Sequence, residues 1–182
     1  MPDDSPCRLL LVSGSLRTRS TNTAVLRTAR IVAPAGTEAI LYAGMGTLPH
    51  FDPDADEEPL PPAVAGLRAE IHRADALLFS VPEYAGGLPG SFKNLLDWTI
   101  GDDRPGSVYE KPVAWINASP RGAEEAHRSL RIVLGYAHAD VVEAACRRVP
   151  VGTADVGDDG LVTSLSARAA IAEAVGALVD HF

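Results

Sequence analysis

The chain has 182 residues, 46% of them hydrophobic and 22% charged, an ordinary globular make-up that excludes a disordered, collagenous or disulfide-stapled protein. A chain of this length encloses one core and buries roughly 70% of its unfolded surface, so a single domain over residues 1–182 is expected. The formal net charge of −8 disfavours nucleic acid phosphates and anionic lipid surfaces as partners and points to small molecules or protein.

Residues 8–13 read RLLLVS, a continuous apolar run too short for a helix and closed by Gly14, which predicts a strand covered on both faces. Residues 20–32 place Val25, Leu26, Ala29 and Val32 on one helical stripe, with Ser20, Thr21 or Asn22 to cap the start and Pro34 to stop the end. Residues 38–42 (EAILY) predict a second strand. The Pro-rich stretch 48–62 predicts a surface connection, with its acidic residues 52–58 in solvent, where they could overhang a neighbouring subunit's site. A second helix over 60–74 turns Val64, Leu67 and Ile71 inward, and residues 75–81 (DALLFSV) form a third strand. A third helix over 90–98 groups Phe92, Leu95 and Leu96, with Trp98 packing it against the sheet, and residues 112–117 (PVAWIN) give a fourth strand. A helix over 123–138, a weaker strand around 141–145 and a helix over 164–182 follow. Strands alternating with helices fold as α/β, here a flavodoxin-like three-layer sandwich: a five-stranded parallel sheet in the order 2-1-3-4-5 with helices on both faces.

Ligands of this architecture bind beyond the carboxyl ends of the strands, where the strand order reverses between the first and third. The segment after the first strand, GSLRTRSTN (14–22), carries hydroxyls, an amide and guanidiniums at a helix start. Backbone N–H groups there are unpaired, and Ser15, Ser20 and Asn22 donate hydrogen bonds while Arg17 adds charge, a set that suits a phosphate. The same serines and asparagine would also serve as ordinary helix caps. After the third strand, residues 82–91 (PEYAGGLPGS) combine Tyr84 with glycines and prolines. Such a loop lets backbone approach a planar heterocycle, or is a turn whose glycines only permit positive φ. Side by side, the two loops describe a mononucleotide site, and FMN fits it.

Three motifs, GSLRTRSTN, VPEYAGGLPGSFKNLLDW (81–98) and NASPRG (117–122), resemble the NADPH-dependent FMN reductase family, which includes quinone, chromate and azo-dye reductases. The likeness runs through about Pro150 and is most specific in the second motif. It implies a flavodoxin-like fold, non-covalent FMN, NADPH or NADH as donor, a small-molecule electron acceptor and a homodimer or homotetramer. Carried over by position, Ser15, Arg17, Ser20 and Asn22 hold the FMN phosphate. Pro82, Glu83, Tyr84, Ala85 and Gly86 border the isoalloxazine, and Ser119 lines the far side. Where the family reads PEYNGS this chain has Pro-Glu-Tyr-Ala-Gly-Gly, so an amide and a hydroxyl are missing at Ala85 and Gly87 while backbone contacts remain. Arg121 departs from a glycine-rich loop and stands ready either for the reduced flavin or for the adenosine phosphate of NADPH.

The flavin carries the redox chemistry in such proteins, so no catalytic side chain is assigned. The alternative is a flavodoxin-like electron carrier or a non-catalytic flavin-binding module, which would show a T-x-T-G-x-T phosphate loop in place of Arg17 and the PEY segment. No G-x-S-x-G elbow or GxxxxGK[ST] loop supports a hydrolase or NTPase. The five histidines form no i,i+4 pair, so no metal site is expected. Cys7 and Cys146 lie far apart, and no secretory run or apolar stretch of about twenty residues is present. A cytoplasmic protein off the membrane is the expectation.

Overall fold

The computed structural model describes residues 6–181. Strands Cys7–Ser13 (β1), Thr37–Leu41 (β2), Ala76–Ser80 (β3), Pro112–Asn117 (β4) and Asp140–Val141 (β5) alternate with helices. These are Thr21–Val32 (α1), Pro62–Arg73 (α2), Gly90–Ile100 (α3), Glu124–Tyr136 (α4) and Leu165–Val179 (α5). The sheet runs β2-β1-β3-β4-β5 with every pairing parallel, the order expected from sequence.

Successive side chains of a strand face opposite ways, and both faces of this sheet are covered. Leu9, Leu11, Leu78 and Ile116 join a core with α1 and α5, while Leu10, Leu77, Phe79 and Trp115 join another with α2, α3 and α4. A strand with two buried faces has no polar positions to alternate, which is why the runs read as unbroken hydrophobics. The helical stripes behave as expected: Val25, Leu26 and Ala29 of α1, Val64, Leu67 and Ile71 of α2, and Phe92, Leu95 and Leu96 of α3 are all buried.

Two expectations need correction. The segment 141–145 is mostly an interruption of the fifth strand: after β5 the chain makes a 3-10 turn at Glu143–Ala145 and returns to β4 as Arg147–Arg148 (β6), beside Ile116 and Asn117. Val142 and Ala145 both enter the core on the α1 and α5 side. Residues three apart share a face in a helical turn and lie on opposite faces in a strand, so the turn wins.

The acidic stretch is also less free than its composition suggests. Asn94 of α3 donates to the Pro49 carbonyl (2.8 Å) and accepts from the Phe51 N–H (2.7 Å). The Trp98 indole N–H donates to the same carbonyl at 2.9 Å, and Phe51 meets the Trp98 ring edge-on at 5.0 Å. Asp56 lies 2.6 Å from the buried Arg68 guanidinium of α2, whose Nε donates to the Trp98 carbonyl at 3.0 Å. The loop is pinned to α2 and α3, and only Asp52, Asp54, Glu57 and Glu58 of its acids remain in solvent.

Candidate functional site

The register of β1 and β3 pairs Ser13 with Ser80, so the loops that follow them leave the sheet side by side. Gly14 N–H donates to the Ser80 carbonyl at 2.8 Å, and a Cβ on Gly14 would sit 2.8 Å from Val81 Cγ1 and 3.1 Å from its backbone Cα. Glycine is favoured there because the β-branched Val81 side chain, with its backbone close behind, fills the space a Cβ would need.

Between the loops lies a cleft of about 350 Å³. Ser15, Arg17, Ser20 and Asn22 line one end, Pro82, Glu83 and Tyr84 the neighbouring wall, and Ser119 the far side. All eight come from the residues singled out in sequence; Ala85 and Gly86 form the tip of the turn beside the cleft and do not line it.

The hydrogen bonds within the first loop use its serine hydroxyls as acceptors. Ser15 Oγ accepts from Arg17 N–H (3.3 Å) and Ser20 Oγ accepts from Thr23 N–H (3.3 Å), so each hydroxyl proton is free to donate. Ser80 Oγ stands 2.8 Å from the Ile116 carbonyl, to which it donates, and 3.0 Å from the Asn22 side-chain amide, which is thereby anchored at the base of the cleft. The N–H groups of Thr21 and Asn22, in the first turn of α1, have no intrahelical acceptor. Arg17 and Arg19 have no carboxylate partner among the described residues. A pocket end rich in donors, with the positive end of a helix dipole behind it, has the chemistry to attract an anion.

The second wall is a tight turn. Tyr84 and Gly87 exchange both backbone hydrogen bonds (3.0 and 3.1 Å) across Ala85 (φ 49°) and Gly86 (φ 72°). Two successive positive φ values make this a type I′ turn, which favours asparagine followed by glycine. Tyr84 stands half exposed at the mouth. Glu83 has a role that sequence did not reveal: its carboxylate accepts from the N–H groups of Glu125 (3.0 Å) and Ala126 (3.1 Å). Those are the amides a capping side chain would take, and Ala123, at the cap position with φ 52°, has no side-chain oxygen to offer. The partner lies more than forty residues away, so no local pattern signals it.

The third wall follows β4. Ser119 N–H donates to Asn117 Oδ1 (3.0 Å), Arg121 N–H donates to Ser119 Oγ (3.2 Å), and Asn117 Nδ2 closes the loop on the Gly122 carbonyl. Behind it, His127 Nδ1 donates to the Ala123 carbonyl at 2.7 Å, while Nε2 is buried without a partner. Burial holds this imidazole below its ordinary pKa against the opposing pull of the Ala123 carbonyl and Glu83. Neither thiol lines the cleft, and burial pushes both Cys7 and Cys146 up to about 11.

The pattern of the NADPH-dependent FMN reductase family matches residues 7–153. The chain belongs to that family. An NAD(P)H-dependent FMN reductase of Pseudomonas aeruginosa is 39% identical over 137 residues, which cover 75% of this chain and 72% of that protein. A quinone reductase of Pseudomonas putida is 36% identical over 60% of this chain, and the aligned part spans 59% of that relative's length. The solved structure of FerB, a flavoenzyme NAD(P)H:(acceptor) oxidoreductase from Paracoccus denitrificans, superimposes with a TM-score of 0.81 at 27% identity over 95% of both chains. The cleft also contains Arg19, Thr21, Pro120, Ala123 and Thr153, which were not among the candidate residues named from sequence. Arg19 and Thr21 sit inside the first motif and were legible there. Thr153 arrives from beyond β6, and nothing in its neighbourhood marks it. Among the described residues no cluster of His, Cys, Asp or Glu could hold a metal, and no helix is long and apolar enough to cross a membrane.

Proposed function

We propose that the protein is an NAD(P)H-dependent FMN oxidoreductase that passes electrons to quinones, free flavin or similar small acceptors. The observation that carries this reading is the donor-rich end of the cleft, with no carboxylate partner for Arg17 or Arg19 among the described residues, set beside a bare backbone turn in a chain of the FMN reductase family. Ser15, Arg17, Ser20 and Asn22, with the first amides of α1, would hold the phosphate dianion. Pro82 and Tyr84 would flank the isoalloxazine, and Ser119 would close the other side. The N–H groups of Ala85 and Gly86 donate to no described carbonyl and would be available to the polar edge of the ring, where donors stabilise negative charge as it develops. Glu83 would act by fixing the wall that borders the ring. When bound, the flavin supplies the two-electron exchange between the nicotinamide and the acceptor. The chain's part is to bind, orient and bound the ring, and no side-chain acid or base is assigned.

We further read residues 1–182 as one domain working in the cytoplasm as a homodimer or homotetramer. Ile100, Tyr109, Ile132 and Tyr136, exposed on the α3 and α4 side, support self-association.

The test is an absorbance spectrum before and after NADPH, followed by steady-state turnover with a quinone. A flavin spectrum that bleaches with NADPH, and rapid quinone reduction, are expected. Failure to take up added FMN at micromolar concentration would overturn the proposal; bound flavin with no turnover on quinone or ferricyanide would replace it with the electron carrier.

A further inference from the structure

The cleft does not stop at the phosphate loop. Arg17, Arg19, Ser20, Thr21 and Thr153 line it and also line a second cavity of about 480 Å³, between the outward face of α1 and the turn at residues 153–160. Building on the FMN reading above, we infer that this cavity receives the adenosine monophosphate half of FAD, so that the protein takes the dinucleotide as well as the mononucleotide.

Each part of that half meets matching chemistry. A second phosphate joined to the first needs a second cation, and Arg27, two turns along α1, lines the cavity with no carboxylate partner among the described residues. Its Nη1 lies 2.7 Å from where a Cβ on Gly160 would stand, so the glycine makes room for the guanidinium. A ribose diol needs acceptors. Asp159 is engaged by the Leu161 N–H at 3.0 Å, whereas Asp158 is exposed at the cavity wall with no hydrogen-bond partner among the described residues. An adenine needs a flat apolar surface, which Val156, Ala24 and the bare backbone of Gly157 supply. FMN alone would leave Arg27 and this whole cavity unused.

The test is a titration of flavin-free protein with FMN and with FAD, read by quenching of flavin fluorescence. FAD is expected to bind within about threefold of FMN. Arg27→Ala, at an exposed position, is expected to weaken FAD by about tenfold, the loss of one charge-assisted contact, while FMN stays within about twofold; Arg27→Lys restores part of the loss. Equal effects of Arg27→Ala on the two flavins, or FMN binding without FAD binding, would overturn the inference and leave the FMN reading standing. Loss of FMN binding in the unmodified protein would overturn both. A KM increase in Arg27→Ala confined to NADPH over NADH, with FAD affinity intact, would assign the cavity to the extra phosphate of NADPH and overturn the dinucleotide.

Discussion

The two ends of the sheet treat charge in opposite ways. At the amino ends of the strands several cations are matched. Asp102, almost fully buried, accepts from Arg104 Nε (2.8 Å) and Nη2 (3.2 Å) and faces His72 Nε2 at 2.7 Å, while His72 Nδ1 meets the Pro105 carbonyl at 2.9 Å. Arg8 pairs with Glu38 and Glu70, and buried Lys111 donates to the Ala74 carbonyl. At the carboxyl ends Arg17, Arg19 and Arg121 have no such partners among the described residues, and the one carboxylate lining the cleft, Glu83, is taken by α4. Polar groups at one end are spent on folding; those at the other are held back for a ligand.

Mutations at the two ends should therefore separate stability from binding. Removing a shared buried anion strands its partners, so Asp102→Ala is expected to cost about 3 kcal/mol in a urea melt with FMN affinity unchanged. Burial favours the neutral form of Asp102, but the bonds from Arg104 and His72 prevail and hold its carboxyl below the ordinary 3.8. Its contribution is thus complete above that value and is lost as the pH falls below it. A fall in FMN affinity equal to the fall in stability would erase the distinction between the ends. Arg17→Ala should do the reverse, weakening FMN by about tenfold, or about 1.4 kcal/mol, with the urea midpoint almost unmoved; retention of flavin on desalting at the level of the unmodified protein would remove Arg17 from the phosphate site.

Smaller effects refine the picture within the binding end. Ala85 has the left-handed conformation that L-residues avoid and asparagine tolerates, so Ala85→Asn should stabilise the fold by about 0.5–1 kcal/mol, measured by thermal melting; a loss would show that the turn is not strained. The smallest effect concerns His127. Its folded-state pKa is depressed, so the unfolded chain binds the proton first and stability drifts down as the pH falls below 6.5. His127→Phe should flatten the drift in melting temperature, and an unchanged slope would point to another group.

Much of the fold and both principal loops were legible because the signals are local. An unbroken apolar run, a helical stripe and a cluster of donors at a helix start each act within about ten residues. What escaped depends on contacts between distant segments. The 3-10 turn at Glu143–Ala145 is chosen by the need of Val142 and Ala145 to reach one core. The fate of Asp56 is decided by Arg68 on another element, and the task of Glu83 by amides exposed when Ala123 fails to cap its helix. Residue type announced that Glu83 was polar, and gave no hint that its carboxylate is taken by the start of α4.

The Glu83 carboxylate has a kinetic consequence. It fastens the Tyr84 turn to the first amides of α4, the helix that also carries the loop of Ser119 and Arg121 on its leading end. These two sides of the slot are thereby riveted into one frame, and prising them apart would strip a helix terminus of its acceptors. On the proposed reading, a flat ring would enter edgewise through the solvent-facing mouth with little rearrangement of the jaws, and its exchange would be governed by how firmly the tail is gripped.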